Sequence, residues 1–240
     1  MNARNFVAAL LALALVTGCS EGGTTGTAGG AASGGADTGT DGVQTDIAEA
    51  MGAATSAVVG QAAPDFELTD TAGNTHRLSD YVTDGKIVVL EWFNPDCPIV
   101  KHYHDSGAGN FVAGRSMGAT YKSLAGDDLV WLAINSGAPG KQGAGLERNQ
   151  QALPAYNINY AVLLDESGDV GKTYGATNTP HMFVVGQSGD LIYNGAIDNG
   201  TVRATGDENY VIKAVQAIRD GQPCEPAETP PFGCGVKYGS

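Results

Sequence analysis

Two nearly unbroken apolar runs dominate the middle of the chain: Ile87-Val88-Val89-Leu90-Glu91-Trp92-Phe93 and Leu129-Val130-Trp131-Leu132-Ala133-Ile134-Asn135. Both are rich in β-branched and aromatic side chains. A strand reads this way when packed layers cover both of its faces, so that neither alternating set of side chains meets water. Ala161-Val162-Leu163-Leu164 predicts a further short strand. Met182-Phe183-Val184-Val185 and Asp190-Leu191-Ile192-Tyr193, separated by Gly186 and Gly189, predict a β-hairpin. The period lengthens to that of a helix over residues 147–156, 170–174 and 210–220, the last with Val211, Val215 and Ile218 on one face. After Asn94-Pro95-Asp96, the segment from Cys97 onward also reads as a helix, interrupted between Ser106 and Gly109. Strands and helices alternate early and a hairpin closes the domain, which predicts an α/β sandwich with a central mixed β-sheet flanked by helices.

The first quarter of the chain follows another logic. The apolar stretch at residues 6–16 is too short for a membrane-spanning helix, which needs about 20 residues, but it suits the hydrophobic region of a secretory signal. It ends in Leu15-Val16-Thr17-Gly18-Cys19, which resembles the lipobox of bacterial lipoproteins. The resemblance implies that residues 1–18 are a signal peptide and that Cys19 carries the lipid. The mature protein would then be anchored to a membrane of the cell envelope, on its exported face, without spanning it. Residues 19–58 are mostly Gly, Thr, Ala and Ser with a few acids, the composition of a flexible tether. A short Ala-rich helix is possible within residues 47–59. The folded domain is expected at residues 59–220. A Pro-, Gly- and Cys-containing tail at 221–240 is expected to pack on or near it.

Charge narrows the partners. Asp and Glu outnumber Lys and Arg by 26 to 13, for a formal net charge of −13, and no basic patch interrupts this. Such a surface repels phosphate backbones, which excludes nucleic acid as a partner.

The candidate chemistry centres on Cys97. It stands at a helix start, and Pro98 suits the first helical position because its missing N–H costs nothing there. Unpaired backbone N–H groups and the positive end of the helix dipole favour a thiolate at such a place, and Lys101 adds charge one turn on. A reactive, accessible thiol is expected. Glu91 interrupts its apolar strand six residues before Cys97; a buried carboxylate there suits proton transfer near neutrality.

The order of motifs resembles the thioredoxin-like redoxins, including the alkyl hydroperoxide reductase/thiol-specific antioxidant group. Gly60-Gln61-Ala62-Ala63-Pro64-Asp65-Phe66 looks like their opening. The strand leading to Cys97-Pro98 resembles the junction of strand and active-site helix, and Thr179-Pro180 looks like the cis-proline loop facing that cysteine. Tyr193 to Asp198 and Phe232-Gly233-Cys234-Gly235-Val236-Lys237-Tyr238 resemble a peroxiredoxin-like subgroup. The resemblance implies a thioredoxin-like sandwich and a thiol oxidoreductase or peroxiredoxin-like antioxidant with no cofactor. It implies Cys97, Glu91 and Pro180 as the catalytic set, and Asn94, Pro98, Lys101, Thr179 and His181 around the substrate groove. A disulfide-bearing protein or a small peroxide would be substrate, with an external thiol as reductant. Two departures stand out. Cys97-Pro98-Ile99-Val100 lacks the second thiol of a Cys-x-x-Cys pair, and Asn94 and Leu90 replace the Thr and Pro that precede a peroxiredoxin's cysteine.

With Cys19 lipidated, three thiols remain: Cys97, Cys224 and Cys234. Either Cys224 and Cys234 pair as a local staple and leave Cys97 free, or one of them resolves Cys97. The tail's inability to form a core favours the staple. A different class of function is a metal-binding or chaperone module in which Cys97, His104 and His181 hold copper or zinc. A third is a redox-inert domain that binds an exported partner.

Overall fold

A computed structural model describes residues 40–104 and 115–240. Cys19, the signal segment and the first part of the tether lie outside the described residues, as does the interruption between Ser106 and Gly109. The elements run α1 (Thr40–Ala53), β1 (Glu67–Asp70), β2 (Thr75–Arg77), α2 (Leu78–Thr83), β3 (Ile87–Trp92), α3 (Pro98–His104), α4 (Met117–Leu124) and β4 (Leu129–Asn135). They continue with α5 (Leu146–Tyr156), β5 (Ala161–Leu164), α6 (Asp169–Tyr174), β6 (Asn178–Thr179), β7 (His181–Val185), β8 (Leu191–Gly195), α7 (Tyr210–Arg219) and β9 (Cys234–Gly235).

Seven strands form one sheet in the order β2-β1-β5-β4-β3-β7-β8. The β3–β4 and β4–β5 pairs are parallel and the others antiparallel, so the sheet is mixed as expected. All six residues of β3 are buried. Its alternate side chains enter two cores: Val88, Leu90 and Trp92 pack with Phe66, Tyr174 and Phe183 on one face. Ile87 and Val89 pack with Met182, Val211 and Val215 on the other. This two-sided burial is why the run is continuous rather than alternating, and each fully buried aliphatic side chain contributes roughly 1.5–3 kcal/mol.

One boundary differs from the expected one. Helix α1 lies inside the stretch assigned to the tether, with Met51 fully buried in the first core and Ile47, Ala57 and Val59 packed against it. A few apolar side chains among Ala and Gly gain enough burial to join the domain, which therefore begins before residue 59. The tail packs on the domain. Residues 234–235 form β9, which pairs antiparallel with β6 at Asn178↔Gly235 and Thr179↔Cys234.

Candidate active site around Cys97

Beyond β3 the chain leaves the sheet through a loop that is tied down at every residue. The Asn94 side-chain oxygen accepts the Asp96 N–H at 2.8 Å, and its Nδ2 donates to the Gln142 carbonyl at 3.0 Å. The Pro95 carbonyl accepts the Tyr156 hydroxyl at 2.6 Å and Arg148 Nη2 at 3.1 Å. Arg148 also grips the Asp96 carboxylate through Nε and Nη2, at 2.8 and 2.6 Å. Helix α5 thus clamps the loop that delivers Cys97. The Cys97 N–H donates to the Asn94 carbonyl, and the Cys97 carbonyl accepts the Lys101 N–H as the first turn of α3 closes.

Cys97 was expected to be accessible, yet it is only 1% exposed. The tail covers it. Its sulfhydryl donates to the Thr179 carbonyl at 3.1 Å, immediately before the cis Thr179–Pro180 bond, and Cys234 Sγ lies 2.6 Å away. Burial, then the hydrogen bond and charge of Cys97, push the Cys234 thiol up to about 11. Cys234 is therefore protonated at neutral pH.

Cys224 sits elsewhere, partly buried against the second core, with its sulfur 3.5 Å from the Pro226 carbonyl. The favoured Cys224–Cys234 staple does not match this arrangement. The pairing of β9 with β6 carries Cys234 to Cys97 instead, and hydrogen bonds along the tail supply the local support that the staple was invoked to provide.

Glu91 is fully buried. Its Oε1 accepts His104 Nε2 at 2.8 Å, and its Oε2 accepts Trp131 Nε1 at 3.1 Å and the Tyr160 hydroxyl at 2.9 Å. Burial and then the charge of Glu91 raise the Tyr160 pKa well above that of a free tyrosine, so the phenol stays protonated and able to donate. Both carboxylate oxygens are occupied, and none of the three bonds reaches a cysteine.

The histidines of the metal alternative make bonds of their own, although His104 Nδ1 is buried without a hydrogen-bond partner. His104 Nε2 belongs to Glu91. His181 accepts the Thr177 N–H at Nδ1, at 3.3 Å, which leaves Nε2–H to donate to Asn194 Oδ1 at 2.7 Å. Burial, outweighing the Asn194 bond, lowers the His181 pKa to about 4. His181 thus supports the cis-proline loop from behind. Among the described residues no three His, Cys, Asp or Glu side chains are placed to hold a metal.

Lys101 and Pro98 line an open hollow of about 590 Å³ beside the Cys97 loop, together with Pro95, Asp96, His102, Arg148 and Tyr156. Asn94, expected in the groove, lies buried beneath the loop and shapes it from within. Arg148, Tyr156, Gln142, Trp131 and Tyr160 were not visible as site residues in the sequence. Each reaches the site across the fold, and no local pattern marks them.

Comparison with known proteins agrees with this geometry. The AhpC/TSA family profile matches residues 59–194. The thiol-disulfide oxidoreductase ResA of Geobacillus kaustophilus is 26% identical over 137 residues, covering 57% of this chain and 68% of that protein. A hypothetical protein from Sinorhizobium meliloti 1021 superposes with a TM-score of 0.62 at 26% identity, over 77% of this chain and 97% of the other. An uncharacterized conserved protein from Geobacillus kaustophilus shares the fold, with a TM-score of 0.62 at 24% identity over 76% and 93% of the two chains.

Proposed function

The chain belongs to the AhpC/TSA family, and on that premise we propose that it is an exported, lipid-anchored thiol–disulfide oxidoreductase in which Cys97 attacks and Cys234 resolves. The observation that carries this reading is the contact of the two sulfurs at 2.6 Å, beside the cis-proline loop. The Cys97 thiolate attacks one sulfur of a substrate disulfide, forming a mixed disulfide and releasing the other substrate sulfur as a thiolate. Cys234 then loses its proton and attacks the Cys97 sulfur, expelling the second substrate thiolate and closing a Cys97–Cys234 disulfide. Two electrons have moved to the substrate, and an external dithiol returns them.

A disulfide-bearing protein is favoured over a peroxide because Asn94 serves the loop backbone rather than a bound oxidant. Glu91 is a positioning residue in this scheme: it holds the last turn of α3 through His104. Pro180 and Thr179 shape the edge against which the tail lies, and Lys101 and Pro98 border the approach. Cys19, at the end of the lipobox-like segment, carries the anchor.

Reduction of a protein disulfide by dithiothreitol, with and without this protein, tests the chemistry. Cys97→Ser is expected to fall to the uncatalysed rate, and Cys234→Ser to accumulate a Cys97–substrate mixed disulfide. Full activity in Cys97→Ser would sink the reading. For the anchor, labelled palmitate should enter the wild-type chain and not Cys19→Ser.

A further inference from the structure

We propose that Gly233 is a positioning residue that selects resolution by the chain's own Cys234 over capture of Cys97 by an outside thiol; this rests on the two-cysteine reading above. Three observations meet at one atom, the Thr179 carbonyl oxygen. It accepts the Cys97 sulfhydryl. It belongs to the residue paired with Cys234 across β6 and β9. A Cβ built on Gly233 would lie 2.1 Å from it, and 3.3 Å from Pro180 N, at a backbone φ of +138° that side chains disfavour. The tail can press onto the cis-proline loop only because residue 233 has no side chain. That close approach is what brings the next residue, Cys234, onto Cys97.

The tail is also anchored on both sides of this point. Upstream, Thr229 Oγ1 accepts the Ala196 N–H at 3.0 Å, and the Thr229 N–H donates to the Asn194 carbonyl at 3.1 Å. Downstream, the Val236 N–H donates to the Thr177 carbonyl at 3.1 Å, and the Tyr238 hydroxyl to the Ala176 carbonyl at 2.7 Å. Residues 230–235 therefore form a strap between two fixed ends. A thiol on such a strap has an effective concentration set by how well the strap seats. A side chain at 233 lifts the strap while leaving both anchors in place. Cys97 is then uncovered and its nearest competitor withdrawn, which turns a two-cysteine relay into a one-cysteine site that depends on external thiol.

Gly235 provides a matched control. A Cβ there meets nothing closer than the Thr177 carbonyl at 4.0 Å. The full chain is equilibrated in glutathione buffers, where the Cys97–Cys234 disulfide and two glutathiones interconvert with two protein thiols and one glutathione disulfide. Species are counted by mass spectrometry after acid quench, and Cys97 in the reduced protein is timed against iodoacetamide. Gly233→Ala is expected to lower the effective concentration of Cys234 at least tenfold, about 1.4 kcal/mol. It should also accumulate Cys97–glutathione and speed alkylation of Cys97 by a similar factor, while Gly235→Ala stays near wild type. Unchanged equilibrium and reactivity in Gly233→Ala, or an equal drop in both glycine variants, would overturn the proposal.

If Gly233→Ala does not fold, Asn178→Ala serves in its place. It removes the 3.1 Å bond from Asn178 Nδ2 to the Gly233 carbonyl and should shift the same titration in the same direction by less; no shift would count against the proposal. The titration needs no substrate, so it reports on Gly233 even if the Cys97→Ser assay were to defeat the assignment of the nucleophile.

Discussion

The two ends of helix α3 are held by contacts of opposite kind. At its start, Cys97 is covered by a tail strand two residues long, a sulfur contact and one carbonyl. At its end, the Tyr103 hydroxyl donates to Asp198 Oδ1 at 2.8 Å and His104 to Glu91 at 2.8 Å, both inside the protein. The first set amounts to a two-residue strand pairing and two polar contacts, with Phe232, Cys234 and Val236 of the tail packed on the cores around them, so exchanging it for a substrate asks only that strap to open. The second cannot be exchanged, because a buried charge deprived of its partner is costly. A thiol that must form and break bonds thus stands on a platform whose far end is fixed. The chemistry is kept where contacts are cheap to exchange.

Breaking the fixed end has the largest expected effect. Glu91→Ala strands His104, Trp131 and Tyr160 in the interior and should cost about 3–5 kcal/mol by denaturant unfolding. Glu91→Gln keeps an acceptor and should cost less. A loss below about 1 kcal/mol in Glu91→Ala would mean that the network is not the platform described here.

A smaller effect is expected behind the cis-proline loop, through pH. The His181 pKa falls from 6.5 when free to about 4 in the fold because burial disfavours its charged form. Between those values the unfolded chain binds more protons than the folded one. The stability from a neutral His181 is therefore complete above pH 6.5 and is lost as pH falls toward 4, by roughly 3 kcal/mol in total. His181→Gln should flatten the stability curve across that window. An unchanged slope would show that other groups set it.

The loop clamp should matter least to stability. Arg148 and Asp96 each leave about a third of their side chain exposed, and solvent screens such pairs, so Arg148→Ala should cost no more than about 1 kcal/mol by thermal unfolding. A larger loss would place the clamp with the platform rather than with the exchangeable end.

The legible part of the molecule was the part whose signal is local. Residues 129–135 and 161–164 match β4 and β5 because periodicity reports two-sided burial directly. Cys97 and Glu91 were singled out by the resemblance of the strand-to-helix junction to that of thioredoxins. The partners of Glu91 were not, since Trp131 and Tyr160 come from β4 and the approach to β5, and only the sheet order brings them together. Of helix α1 only the part from residue 47 was anticipated, because Met51 buries itself from within an Ala- and Gly-rich stretch that has the composition of a linker. The role of the tail was left open between two readings for a related reason. β9 has two residues, too few for any period, and its meaning depends on a glycine that matters only for what it leaves out.

The central claim is that Cys97 and Cys234 form one redox unit from which Cys224 is absent. The most direct test is a disulfide map of the full chain by non-reducing mass spectrometry, made on reduced protein and again after mild oxidation. The account predicts a Cys97–Cys234 link appearing on oxidation with Cys224 still free to alkylate. A Cys224–Cys234 bridge with Cys97 left as a free thiol would contradict it.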